Sequence, residues 1–260
     1  MLFGHCRPRE PQVEFFNNLQ DQFSTAYNLL ASGWGLQLIW GIGWTLAVTV
    51  VSMMIGAVLG SMVAAAKLSS RGSFKFIGEA YTTVFRGEPE LLIIYLFYYG
   101  GTQVLTGAAR STGAIGSTDI LNMPSFLGGV LAVGIISGAY QAEVYRGSFL
   151  AIMRGELEAA RAYGMSTFTR FRIVIVPQVL RLAVPGLGNV WQLTIKDSAL
   201  ISVTGVVELM LSANKAARST HHSLLFYTLA GVLYLVMTSI STPIFSKVER
   251  YTSRSFVRPK

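Results

Sequence analysis

The stretch WTLAVTVVSMMIGAVLGSMVAAA, residues 44–66, runs for twenty-three residues without a charged side chain. A helix rises about 1.5 Å per residue, so this stretch is long enough to cross a hydrocarbon layer of about 30 Å. Lipid offers no partner to an unpaired backbone N–H or C=O, and the stretch lacks the strict alternation of a barrel strand. It therefore predicts a transmembrane α-helix, with apolar residues extending back to Trp34.

The rest of the chain has the same character. Of 260 residues, 52% are hydrophobic and only 13% are charged, whereas soluble domains carry about 25% charged residues. The predicted fold class is all-α, a polytopic membrane protein with about five transmembrane helices. The other four predicted crossings are residues 91–105 with a less apolar lead-in at 77–90, then 125–142, 179–207 and 224–245.

The distribution of Lys and Arg predicts the orientation. With the N-terminus outside, the inner segments 67–78, 146–181 and 247–260 hold fourteen of these residues, and the outer segments hold five. This excess follows the positive-inside rule. We therefore expect an extracytoplasmic segment at 1–33, a transmembrane domain at 34–246 and a cytoplasmic tail at 247–260. The net charge of +8 then reflects topology and attraction to anionic lipid, and it gives no case for nucleic-acid binding.

Motifs for catalysis and metal binding are missing from the sequence. It contains no Walker A pattern, no GxSxG and no GxGxxG, so we expect no nucleotide hydrolysis by this chain alone. The three histidines, His5, His221 and His222, lack the spacing of a zinc site. The sequence therefore predicts no cofactor and no metal held by this chain.

A charged segment, GELEAARAYGMSTFTRFRIVIVPQ at residues 155–178, separates the third and fourth predicted crossings. Glu156 and Glu158 fall in the first turn of a predicted short helix, where the helix dipole favours acids. Gly164 is placed to close that helix in the left-handed conformation, and a second short helix should follow until Pro177 ends it. Periodicity alone leaves two interpretations open, an amphipathic loop on the lipid headgroups and a small-residue face that another protein approaches closely.

Ionisable residues inside predicted crossings are candidates for a substrate site, because they are costly in lipid. Arg86 lies next to Gly87 and Pro89, which predict a helix break with free backbone groups beside a guanidinium suited to a carboxylate. Asp197 is a candidate partner for an ammonium group, and Glu143 is a second acidic candidate. Structural alternatives are pairing of Arg86 with Glu90, of Asp197 with Lys196, and of Glu143 with Arg146.

The segment also resembles the EAA motif of permease subunits in ABC importers, whose pattern is EAA, three residues, G, nine residues, then I-x-L-P. Here Glu158, Ala159 and Ala160 are followed at that spacing by Gly164 and by VIVP at 174–177. Val174 and Val176 depart conservatively from Ile and Leu. Three further stretches are similar to the polar amino-acid subfamily of histidine, arginine and opine type: residues 80–100, 138–149 and 185–205.

The resemblance implies a type I ABC importer permease in the bacterial inner membrane. Residues 151–178 would then hold a coupling helix, and Glu158, Ala159, Ala160 and Gly164 would dock into an ATPase subunit. The implied partners are an ATPase dimer that holds ATP and Mg, a second permease subunit and a periplasmic solute-binding protein. The alternative is an ion-coupled carrier or channel that works without an ATPase.

The resemblance also implies that Arg86 and Asp197 bind the backbone of an amino acid, with Gly87 beside them. Glu88 departs from the small residue expected before Pro89 and leaves the size and charge of the substrate open. The three acids Glu88, Glu143 and Asp197 favour a cationic amino acid, such as arginine, lysine, histidine or ornithine, or an opine derived from one.

Overall fold

The computed structural model describes residues 24, 27–101, 103 and 125–253. These residues form a bundle of helices, and four spans are long and apolar enough to cross a membrane: Tyr27–Lys67, Phe126–Leu150, Thr167–Thr204 and Ser223–Thr252. The predicted all-α polytopic fold is confirmed. In chain order the α-helices are α1 (Gly35–Lys67), α2 (Gly72–Gly87), α3 (Glu90–Tyr95), α4 (Ser125–Leu150), α5 (Arg154–Ala162), α6 (Thr167–Arg170), α7 (Val176–Ser198), α8 (Leu209–Thr220) and α9 (Ser223–Ser253).

The second predicted crossing is a broken helix. Its lead-in forms α2, and its apolar part forms α3, which continues as a π-helix over Leu96–Gly100. Glu88 and Pro89 between them are extended, with ψ of 153° and 128°, because a proline disfavours helical geometry at the residue before it. Residues 102, 104 and 105 of this crossing lie outside the described residues.

The closest helix packing in the bundle is between α1 and α4. Gly56 and Gly60 lie on the buried face of α1, together with Ser52 and Ala64. A Cβ on Gly56 would be 2.4 Å from the Gln141 side chain, and a Cβ on Gly60 would be 2.9 Å from a backbone oxygen of α4. Small residues one turn apart therefore allow the two backbones to touch, as is typical of membrane helices.

The prediction that Pro177 ends a helix is wrong. Ser166 caps α6 as its side chain accepts a hydrogen bond from the Thr169 N–H at 3.2 Å. The chain then continues through a π-helix at Phe171–Ile175 directly into α7. Pro177 lies directly after this π-helix, inside one helical span over Thr167–Thr204, so the chain passes through the proline without a helix end.

Glu208 holds α8 against the end of the bundle opposite α5. Its carboxylate is fully buried and caps α8, while also joining α1 and α9. Burial raises the pKa of Glu208, and its hydrogen bonds oppose that rise. The donors are Met210 N–H at 2.8 Å, Leu211 N–H at 2.7 Å, the Tyr234 hydroxyl at 2.7 Å and the Thr45 hydroxyl at 3.3 Å.

Candidate functional site

Arg86 lies at the end of α2, just before the helix break, and its side chain is directed at α4. Its guanidinium carbon is 5.4 Å from the centre of the Tyr140 ring, a cation–π contact. One guanidinium nitrogen is 3.9 Å from a carboxylate oxygen of Glu143. The sequence also allowed an ion pair of Arg86 with Glu90. Within the described residues, Arg86 pairs with Glu143 instead.

Two acids without an ion pair of their own lie around Tyr140. The Tyr140 hydroxyl donates to Glu90 at 3.4 Å, and Asp197 lies within electrostatic range of Tyr140. Among the described residues, neither acid belongs to an ion pair. Asp197 also interacts with the charge of its exposed neighbour Lys196. Arg86 at the end of α2, Glu90 on α3 and Asp197 on α7 thus lie around Tyr140 of α4.

Two members of this cluster were missed as site residues. Glu90 entered the sequence analysis only as a partner for Arg86, and Tyr140 was not considered. Its position in the sequence could have indicated Glu90 as a site residue, since Glu90 directly follows Pro89 and begins α3. Tyr140 lies one turn before Glu143 on α4, and only the packing of α2 against α4 reveals its contact with Arg86.

Gly87 is the last residue of α2, and Glu88 is the first residue of the break. Gly87 is exposed, and a Cβ added there would meet no atom within 4 Å. Glu88 is also exposed, and it makes no side-chain hydrogen bond or ion pair within the described ranges. The structure therefore leaves Glu88 at the rim of the cluster rather than within it.

Glu143 is engaged by cations from three helices. It pairs with Lys67, with Arg146 at 3.2 Å and with Arg86 at 3.9 Å. Lys67 also contacts Glu79 at 2.9 Å and the Thr82 hydroxyl at 2.8 Å. Lys67, one of the fourteen Lys and Arg residues assigned to the inner segments, has a side chain that is only 2% exposed.

The short helix α5 and the turn that closes it at Gly164 have the predicted local structure. Glu158 and Ala159 are exposed on α5, while Ala160 is buried against the bundle. Gly164 has a φ of 70°, and the Met165 N–H donates to the Ala160 carbonyl at 3.2 Å. This is the hydrogen-bond pattern of a Schellman cap.

A side-chain contact ties α5 directly to a long helix. The Gln178 amide in the first turn of α7 donates to the carboxylate of Glu156 in the first turn of α5. The short helix is therefore joined to α7 both through the chain and through this hydrogen bond.

Comparison with known proteins identifies relatives over most of the chain. Residues 56–248 match the family described as binding-protein-dependent transport system inner membrane component. The octopine transport system permease protein OccQ of Rhizobium radiobacter is 45% identical over 226 residues, which are 87% of this chain and 94% of that protein. The histidine/lysine/arginine/ornithine transport system permease protein HisQ of Escherichia coli K12 is 34% identical over 206 residues, 79% of this chain and 89% of that protein.

A solved structure shows the same fold. A crystal structure of an amino acid ABC transporter with histidines superposes with a TM-score of 0.71 at 32% identity, covering 86% of this chain and 97% of that chain. The described helices therefore have the arrangement of an ABC importer permease.

Proposed function

Since this chain belongs to the family of inner membrane components of binding-protein-dependent transport systems, we propose that it carries a cationic amino acid, or an opine derived from one, through the membrane. It is a transport subunit and not an enzyme. The observation that carries the proposed substrate class is the charge content of the cluster around the helix break. Arg86 and Glu90 both contact Tyr140, Asp197 lies within electrostatic range of Tyr140, and neither acid has an ion pair in the described part of the chain.

These three charges complement a cationic amino acid group by group. Arginine carries one carboxylate and two cations, the α-ammonium and the guanidinium. Arg86 is suited to the carboxylate because a guanidinium makes paired hydrogen bonds with it. Asp197 and Glu90 are then available for the two cations, and a neutral amino acid would leave one acid without a partner.

The helix break supplies the remaining contacts in this proposal. Gly87 leaves room for a substrate beside the backbone, since nothing lies within 4 Å of the position of a Cβ. Glu88 at the rim adds a third negative charge on the approach to the cluster. The relatives named for octopine and for histidine, lysine, arginine and ornithine support this class, because octopine is itself a derivative of arginine.

The coupling part of the proposal assigns α5 to an ATPase subunit, which holds ATP and Mg. Glu158 and Ala159 present an exposed polar and small surface, and Gly164 ends the helix with an open left-handed turn. The hydrogen bond between Glu156 and Gln178 gives a displaced α5 a direct attachment to α7, which carries Asp197. Movement of the ATPase would thereby reach the proposed substrate cluster.

The complete importer would contain an ATPase dimer, a second permease subunit and a solute-binding protein on the outer side. The excess of Lys and Arg supports an N-terminus outside and a C-terminus inside. In that orientation α5 faces the cytoplasm, and α8 faces the binding protein.

ATP hydrolysis by the reconstituted importer tests the substrate class. The chain, its cognate second permease, ATPase and binding protein are placed in liposomes, and hydrolysis is recorded with arginine, lysine, histidine, ornithine, octopine and citrulline. Citrulline has nearly the shape of arginine without its side-chain charge. We expect stimulation by one or more of the cationic solutes, none by citrulline, and loss of stimulation in Asp197→Asn.

Lys196→Gln is the matched control, since it changes the neighbouring exposed charge on α7. It should retain most of the stimulation. Equal stimulation by citrulline and arginine, together with an unaffected Asp197→Asn variant, would overturn the proposed substrate class while leaving the family intact.

A further inference from the structure

Glu143 has a different role in the structure from the one its sequence position suggests. One carboxylate oxygen faces both Lys67 and Arg86, and the other accepts from Arg146 at 3.2 Å. With three cations around it and a side chain only 22% exposed, Glu143 has no free charge to offer to a cationic substrate. Its effect on a substrate must pass through one of its partners.

Arg86 is the partner that lies next to the proposed substrate cluster. Its two attachments, the Tyr140 ring and Glu143, are one turn apart on α4. The separation of 3.9 Å from Glu143 exceeds the 2.7–3.2 Å of a direct N–H···O hydrogen bond. The side chain of Arg86 is also 42% exposed. The ion pair is therefore loose, and it faces the space where a substrate carboxylate would arrive.

Loss of this ion pair would not strand a buried charge. Glu143 would keep Lys67 and Arg146, and Lys67 would keep Glu79 at 2.9 Å and Thr82 at 2.8 Å. Removing the last partner of a buried charge is costly, and removing one of several partners costs less because the charge stays compensated. The contact of Glu143 with Arg86, at 3.9 Å, is longer than its contact with Arg146, at 3.2 Å.

We propose that Glu143 is a positioning residue that holds the Arg86 guanidinium in the empty transporter and releases it to the carboxylate of the substrate. This inference rests on the proposed function, in which Arg86 binds that carboxylate. The exchange replaces a loose single contact with paired hydrogen bonds. Glu143 thus competes with the substrate carboxylate for the Arg86 guanidinium. It changes the affinity for solutes that carry a carboxylate, although it does not contact them.

The test compares two ligands that differ only in the carboxylate, arginine and its decarboxylated analogue agmatine. Ligand-dependent thermal stabilisation of the purified permease and ATPase complex, without the binding protein, reports a dissociation constant for each ligand. Glu143→Gln should lower the dissociation constant of arginine by about two- to fivefold, the range expected for a partly exposed ion pair. The constant for agmatine should stay unchanged.

Glu79→Gln is the matched control, because it removes the other ion pair of Lys67 and leaves the surroundings of Arg86 intact. It should leave the ratio of the two constants at the wild-type value. If Glu143→Gln does not fold, the double variant Lys67→Met/Glu143→Gln removes both buried charges together and gives the same comparison.

Arg86→Gln separates failure of this inference from failure of the proposed function. It should weaken arginine binding relative to agmatine binding. If it does so and the Glu143 variants leave the ratio unchanged, the exchange is refuted while the role of Arg86 stands. If Arg86→Gln leaves the ratio unchanged, the assignment of Arg86 to the carboxylate fails, and the exchange fails with it.

Discussion

Replacing Lys67 with Met is expected to destabilise the helix bundle by about 1–3 kcal/mol. The Lys67 side chain is 2% exposed and joins α1 to Glu79 and Thr82 of α2 and to Glu143 of α4. Breaking a buried ion pair by removing one partner costs about 3–5 kcal/mol. The cost should fall below that range here, because Glu143 keeps Arg146 and Glu79 is 46% exposed to solvent.

Methionine is the suitable replacement because it keeps the packing of the lysine stem. The Lys67 Cγ lies 2.6 Å from where a Cβ on Gly78 would be, so the stem fills the space that this glycine leaves. The loss of stability should therefore come from charge and hydrogen bonding rather than from a cavity.

The measurement is the free energy of unfolding of the purified protein in mixed micelles, titrated with sodium dodecyl sulphate and followed by circular dichroism. Lys75→Met is the control, since Lys75 is exposed on α2. The double variant Lys67→Met/Glu143→Gln should lose less than the sum of its single variants, because the two residues share one network. Equal unfolding free energies for Lys67→Met and Lys75→Met would refute the reasoning.

Three further changes test separate parts of the structure. Gly60→Ala should destabilise the protein by about 1–3 kcal/mol through overpacking against the α4 backbone. Gly43→Ala on the same helix is the control and should not destabilise it, because an added Cβ there has no atom within 4 Å. The same unfolding titration compares the two variants. Glu208→Ala should lower the free energy of unfolding by about 2–3 kcal/mol, because α8 loses its cap and the Tyr234 hydroxyl loses its acceptor. Glu249→Ala, at an exposed position, is the control. Gly164→Arg should leave membrane insertion intact and abolish transport, and normal uptake by that variant in cells would contradict the coupling role of α5.

Local signals in the sequence predicted the elements that depend on local physics. Residues 44–66 predicted α1 from length and hydrophobicity alone, and the structure has this helix at Gly35–Lys67. Pro89 predicted the break after Gly87 because proline restricts its own backbone and that of its neighbour. Gly164 predicted the end of α5 because glycine adopts positive φ at low cost.

The failures involve contacts between distant parts of the chain. The ion pair of Lys67 was not predicted, because its partner Glu143 is 76 residues away. The contact of Arg86 with Tyr140 likewise depends on how α2 packs against α4. Pro177 shows a different limit, since the helical span continues through it after a π-helix. No local pattern contains this information.

The most direct test of the account is whether this chain transports alone. Uptake of labelled arginine and octopine is measured in two kinds of proteoliposome. The first contains the chain alone, under an imposed proton or sodium gradient. The second contains the complete importer, with ATP and Mg on the side of the membrane that the ATPase faces and liganded binding protein on the other side. We expect uptake only by the complete importer, only with hydrolysable ATP, and not by the chain alone. Gradient-driven accumulation by the chain without an ATPase would contradict the account and establish an ion-coupled carrier instead.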